Sequence, residues 1–319
     1  METTLLPGTD LTVSRLGFGN MTFGSQTDEP TGSGIIDYCL GEGIDFLDTA
    51  NVYNKGIFEE FLGRMLRGRR DKVVLASKCR GAMGDGPDEA GLSEAAISKA
   101  IDESLRRLRT DRLDIYCLHQ PDYAVPVEET LEAVDALVKS GKVRYPAISN
   151  YAAWQVTQAR DVAGRRGFRP IHISQVMYNL VARGLEQEFV PFAKDYKVAL
   201  VVYNQLAGGM LTGKQRREAP AAGTRFDGNK TYLDRYWHPG FFDAVDELAE
   251  IAKQAGRSLI SLALNWLLHH TDTASIILGA SRLEQLEQNI AATREGRLTA
   301  DVVERCDEVW AKLRGPSPR

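Results

Sequence analysis

Short apolar runs alternate with longer amphipathic stretches along almost the whole chain. The runs cover residues 16–21, 44–50, 73–78, 113–119, 143–150, 171–178, 198–205 and 275–280, eight strand candidates in all. Several are nearly uninterrupted (VVLASK, LDIYCLH, VALVVYN, SIILGA), the pattern of parallel strands covered on both faces. Between them the apolar period lengthens to that of a helix. SEAAISKAIDESLRRLR over 93–109 opens on Ser93, a good N-cap, and VEETLEAVDALVKSG over 127–141 ends on Gly141, a good residue to follow a helix.

A strand–helix alternation repeated eight times predicts a parallel α/β fold. An open doubly wound sheet is the competing arrangement. It would carry a GxGxxG turn after its first strand, but GFGNMTFG places Gly17, Gly19 and Gly24 at the wrong spacing. No linker rich in Pro, Gly or Ser divides the chain. The expectation is therefore one domain over 1–319, a (β/α)8 TIM barrel with long βα loops. Residues 3–14, with the turn Pro7-Gly8-Thr9-Asp10, read as an N-terminal β-hairpin closing the barrel bottom. The stretch 212–240 reads as one long irregular loop, and loops of that length are usually functional or disordered. Residues 314–319 read as a loose tail.

Composition narrows the function more than the fold. Lys and Arg number 39 against 43 Asp and Glu, a net charge of −4 with the two signs interleaved, so no basic stripe offers itself to nucleic acid. The densest basic cluster, Arg64, Arg67, Arg69 and Arg70, reads as a solvated helix end. The four cysteines, Cys39, Cys79, Cys117 and Cys306, form no CxxC pair and read as reduced thiols in a cytoplasm, not as a disulfide framework or a zinc site. The N-terminus lacks the basic and apolar regions of a secretory signal, and no window reaches the ~18 apolar residues of a membrane span. A small-molecule substrate is the expected partner.

In a barrel, side chains at the C-terminal ends of strands face the active-site mouth. Asp48 ends the second run, Tyr53 follows it in the loop, Lys78 ends the third, and His119 ends the fourth. Taken singly, each has an ordinary structural reading: a turn carboxylate, a rim aromatic, a snorkelling lysine, a hydrogen-bonded core histidine. Together they converge on one mouth and suit carbonyl reduction. Hydride addition leaves negative charge on oxygen, which needs a proton donor. A phenol has a reference pKa of about 10, and a nearby ammonium lowers it, so Lys78 would tune Tyr53. Asp48 would keep the buried ammonium charged, and His119 would orient the carbonyl and steady the developing charge.

These segments resemble the aldo-keto reductase superfamily over nearly the whole chain. GIDFLDTANVY is similar to the family segment carrying its Asp and Tyr, and VVLASK and DIYCLHQPD to those carrying its Lys and His. The resemblance implies a catalytic tetrad of Asp48, Tyr53, Lys78 and His119, with Tyr53 the acid. It also implies NADP(H) bound in extended form across the mouth, which accounts for the missing GxGxxG. Gly19, Asn20, Met21 and Gln26, with Asp48, would border the nicotinamide and the first phosphates. Ser149 and Asn150, joined by Gln175, would hold the carboxamide, and Tyr203 would stack on the nicotinamide ring. The loop YNQLAGGMLTGK would wrap the pyrophosphate through Asn204, Gln205, Leu206, Ala207, Gly208, Gly209 and Lys214. ILGASRLEQLEQNI would hold the adenosine phosphate through Gly279, Ser281, Arg282, Gln285, Gln288 and Asn289, with a further contact from Arg225. A glycine-bearing turn into a helix is a natural anion site, and Arg282 suits a 2′-phosphate, so NADPH is expected over NADH.

The chain departs from the family pattern at three places. Asn204-Gln205 stand where relatives often have Ser/Thr-Pro, Gln288 stands where many carry Glu, and Pro146 interrupts the fifth strand, where a local bulge is expected. The pattern is closer to the bacterial and potassium-channel β-subunit branch, which includes tetramers, so a monomer or a homo-oligomer is expected. Phe23, Tyr123, Trp154, Tyr232 and Trp237 are weighed as substrate contacts against plain packing. A regulatory cofactor-binding subunit is the first rival reading; His119 favours a working enzyme. A Schiff-base enzyme on Lys78 is the second, and Asp48 opposes the lowered lysine pKa it would need.

Overall fold

The computed structural model describes residues 1–21, 23 and 27–315. Ten strands form: β1 Thr3–Leu5, β2 Thr12–Ser14, β3 Leu16–Gly19, β4 Phe46–Asp48, β5 Val74–Cys79, β6 Leu113–Leu118, β7 Val143–Ser149, β8 Ile173–Met177, β9 Ala199–Tyr203 and β10 Thr273–Leu278. Strands β3 to β10 close into a barrel in chain order, every neighbouring pair parallel, with β10 paired back to β3. Each predicted apolar run supplies one barrel strand. The fold is the (β/α)8 barrel expected.

Two layers of apolar packing explain the near-continuous strand sequences. Outward residues such as Leu47, Leu75, Leu118, Ile148 and Val202 pack against the surrounding helices, while inward residues such as Phe46, Ala76, Ile115, Ala147 and Val201 fill the barrel. Strands β1 and β2 pair antiparallel, and Leu6, Leu11 and Val13 of this hairpin join the interior cluster. The hairpin therefore plugs the end opposite the mouth, as its turn residues predicted. Helix ends also follow local chemistry. Ser93 Oγ accepts the Ala96 amide at the start of helix Glu94–Leu108, and Gly141 follows helix Val127–Lys139 with φ 79°.

Two expectations need correction. Pro146 causes no bulge: β7 stays in register with β6, Tyr116 opposite Pro146, and its pairing to β8 begins only at Ile148. The amide that proline lacks is thus not missed on the β8 side. The stretch 212–240 is not wholly irregular. It contains helix Lys230–Tyr236, capped by the Asn229 side chain on the Tyr232 amide, and ends in the start of helix Pro239–Gln254. Its mixed aromatic and charged sequence hides the short helix because the apolar face is set by packing on the barrel, not by period.

Candidate active site

Strand ends β4 and β5 carry the centre of the site. Lys78 is fully buried, an unusual state for lysine, and its Nζ donates to Asp48 Oδ2 at 2.5 Å and to the Thr49 carbonyl at 2.8 Å. The other carboxylate oxygen of Asp48 accepts from Gln175 Nε2 at 2.8 Å. Gln175, which the resemblance placed with the carboxamide pair, thus ties its amide nitrogen to Asp48. Tyr53 opens a 3-10 turn, Tyr53–Gly56, in which Asn54 and Lys55 are left-handed at φ 45° and 48°. That turn brings the Tyr53 ring face 5.2 Å from Lys78 Nζ. The His119 ring stands edge-on to Tyr53 with centroids 5.9 Å apart. The four residues singled out by position thus meet in one place.

Electrostatics sets their protonation. Burial is the largest influence on the Tyr53 phenol and raises its pKa above the ordinary value, against the opposing pull of Lys78; Asp48 adds to the rise. Burial also works against the Lys78 ammonium, but the charge of Asp48 beside it prevails and holds Lys78 above its usual range. Burial, with Lys78 and Arg80 nearby, lowers His119 to about 3, so its imidazole is neutral at ordinary pH.

A second cluster adjoins the first. Asn150 is left-handed at φ 62°, and its Nδ2 donates to the His119 carbonyl at 2.9 Å and to Ser149 Oγ at 3.0 Å. Its Oδ1 accepts from the Tyr203 hydroxyl at 2.7 Å, which fixes the Tyr203 ring at the end of β9. Next in the chain, Asn204 is left-handed at φ 63° and its Oδ1 accepts the Gly208 amide at 2.7 Å. Ala207, Gly208 and Gly209 also have positive φ, and the amides of Ala207 and Gly209 bond to Asn204 and Leu206 carbonyls. Three of the amides expected to wrap a pyrophosphate are therefore spent on the turn itself. Gln205 is buried and Leu206 half-buried.

The remaining expected residues fall into two groups. Arg225 reaches the end of β10: a Cβ on Gly279 would lie 3.4 Å from its Nη2. Ser281 is held by Gln285, whose Oε1 accepts its amide at 3.1 Å and its hydroxyl at 3.2 Å, and Arg282 is exposed as N-cap of helix Leu283–Thr293, which carries Gln288 exposed and Asn289 buried. Set against these, Lys214 is exposed, Met21 is 38% exposed, and Gln26 lies outside the described residues. Gly19 ends β3, and Asn20 follows it, 1% exposed, its Nδ2 on the Phe58 carbonyl and its Oδ1 without a partner among the described residues.

Among the weighed aromatics, Phe23 is core and Trp237 packs on Phe226 and Phe242, whereas Tyr123 and Trp154 line a separate cavity of about 290 Å³ between helices Val127–Lys139 and Ala153–Arg166. Sequence reading missed Asn51, 1% exposed with an unpartnered Oδ1 among the described residues, and the buried pair Glu59 and Arg107. No local signal marks them, since charged residues on amphipathic helices are normally solvated. Arginines Arg225 and Arg282 beside a helix N-terminus, with the pinned Tyr203 ring at the mouth, form a donor set that fits an aromatic, polyanionic nucleotide.

Among the described residues no group of side chains could hold a metal ion, and no helix is long and apolar enough to cross a membrane. Comparison with known proteins agrees with the geometry. The Aldo/keto reductase family matches residues 15–311. The chain is 35% identical to the oxidoreductase YrpG of Bacillus subtilis (strain 168), over 100% of this chain and 98% of that protein. It is 35% identical to Aflatoxin B1 aldehyde reductase member 2 of Homo sapiens, over 92% and 85%, and 34% identical to Aldo-keto reductase YhdN of Bacillus subtilis (strain 168), over 90% and 87%. With eight parallel strands closed into a barrel and family similarity across nearly its full length, the chain belongs to the aldo/keto reductase family, oxidoreductases acting on carbonyl compounds.

Proposed function

We propose that this protein reduces an aldehyde or ketone to an alcohol with NADPH, using Tyr53 as the proton donor. The observation that carries the reading is the Lys78 ammonium, fully buried on Asp48, with the Tyr53 ring face 5.2 Å away and His119 edge-on to that ring. A nicotinamide held beside Tyr203 would supply the hydride for the carbonyl carbon. Tyr53 gives its hydroxyl proton to the carbonyl oxygen, and Lys78 stabilises the phenolate that remains. Asp48 holds that ammonium charged. Neutral His119 donates a hydrogen bond to the same oxygen and orients it. Tyr203, pinned by Asn150, would stack on the nicotinamide ring, and Ser149, Asn150 and Gln175 would hold its carboxamide. Arg225 and Arg282 would hold phosphates, the latter favouring NADPH over NADH. Domain 1–319 would act as a unit, as a monomer or homo-oligomer, and four buried free cysteines suit the reducing cytoplasm.

The test is cofactor consumption against a panel of aldehydes and ketones, with NADPH and NADH, wild type beside Tyr53→Phe. Turnover that falls by at least about 10²-fold in the variant is expected for loss of a general acid. Turnover that survives removes Tyr53 as donor; NADPH binding without turnover by the wild type on any carbonyl removes the enzymatic reading.

A further inference from the structure

We infer that the buried Glu59–Arg107 ion pair is a positioning device that sets Tyr53 against Lys78. The inference rests on the reading of those two groups given above. Glu59, on helix Ile57–Met65, is completely buried, and Arg107, on helix Glu94–Leu108, is 6% exposed. Glu59 Oε2 accepts from Arg107 Nε at 2.7 Å, and Oε1 accepts from Ser77 Oγ at 2.5 Å. Ser77 directly precedes Lys78 in β5; alternation points the serine out toward the helices and the lysine into the barrel. One carboxylate therefore ties down the strand at the residue before the ammonium.

Its partner supports the other group. Asn54, Lys55 and Gly56 are consecutive left-handed residues immediately after Tyr53, with φ 45°, 48° and 88°. Such a turn persists only where its surroundings over-determine it. Gly56 rests on the stem of Arg107: a Cβ there would lie 2.7 Å from Arg107 Cδ and Nε. Arg107 Nη1 also bonds Glu103 at 3.1 Å, which fixes the stem from the far side. A buried ion pair is a poor source of stability, since apolar residues of similar volume often serve as well or better. What apolar residues cannot supply is direction. The pair links the two chain segments that carry Tyr53 and Lys78, and both of its members are buried.

The experiment compares wild type with Glu59→Met/Arg107→Met, Arg107→Lys and Ser77→Ala. Single-turnover reduction at saturating NADPH, NADPH affinity by fluorescence, thermal melting, and amide exchange of Tyr53 and Lys55 in the cofactor-free protein are measured. The double variant is expected to melt at or above the wild-type temperature and to bind NADPH unchanged. Its hydride-transfer rate should fall by roughly tenfold, less than the ~10²-fold cost of a 1 Å misplacement, with faster exchange at Tyr53 and Lys55. Arg107→Lys and Ser77→Ala should move the same way to a smaller extent, and they decide the matter if the double variant does not fold. Wild-type rates and exchange in the folded variants overturn the inference. A wild type that turns over no carbonyl removes the proposed reaction instead, and the exchange of Tyr53 and Lys55 still judges the positioning.

Discussion

Burial and a neighbouring ammonium pull the Tyr53 phenol in opposite directions, and burial prevails. Sequence reasoning expected Lys78 to lower that pKa, because the apolar enclosure of the ring is not visible in the chain. The consequence is a phenol that stays protonated across neutral pH. With Tyr53 in the proposed role of donor, reduction is expected to be lost only as pH rises through the raised phenol pKa. His119, lowered to about 3, stays neutral over the same range. The folded protein therefore binds fewer protons at this residue than the unfolded chain, whose histidine titrates near about 6.5. Stability falls as pH drops from that value toward about 3, and His119 supplies a share of the fall. His119→Phe should narrow the difference in melting temperature between neutral and acid pH; an unchanged difference would mean that the imidazole is charged in the fold.

At the scale of elements, the departure at Asn204-Gln205 acquires a reason. Asparagine tolerates the left-handed backbone better than Ser or Thr, and here its side chain is also a cap. Asn204 Nδ2 donates to the Tyr236 hydroxyl at 2.8 Å, Asn179 Nδ2 donates to the same hydroxyl at 3.1 Å, and that hydroxyl donates to Met177 Sδ at 3.2 Å. Tyr236 belongs to the short helix of the 212–240 stretch, so one buried phenol fastens that stretch to the turns leaving β8 and β9. Tyr232 of the same helix covers Gly208, where a Cβ would lie 2.6 Å from its ring. Tyr236→Phe takes the acceptor from Asn204 Nδ2, leaves Asn179 Nδ2 only the Asn204 carbonyl, and should cost about 1–3 kcal/mol. Chemical denaturation gives that loss, and hydrogen exchange should show it concentrated in 212–240; uniform protection would count against the fastening.

For the whole molecule, the hairpin plug and the proposed catalytic residues sit at opposite ends of the barrel. The β1–β2 hairpin contributes Leu6, fully buried, to the interior cluster, whereas Asp48, Lys78 and His119 lie within one residue of the other ends of their strands. Leu6→Ala should cost about 2–5 kcal/mol by opening a cavity, with the rate constant of the folded enzyme unchanged. A large change in that rate constant would show that the bottom of the barrel transmits strain to the mouth.

Periodicity alone determined the order and kind of every barrel strand, because parallel strands covered on both faces must be apolar throughout and their connecting helices must not. It also located Asp48, Lys78 and His119, since strand ends are readable wherever runs are. Contacts between segments far apart in the chain were not readable. Gln175 on Asp48, Arg107 beneath Gly56, Tyr236 between Asn179 and Asn204, and the uninterrupted register at Pro146 all depend on which faces meet. The protonation of Tyr53 and His119 belongs with them. Residue types name the charges, but only the packed structure sets how much water surrounds them, and burial is the largest influence on both groups.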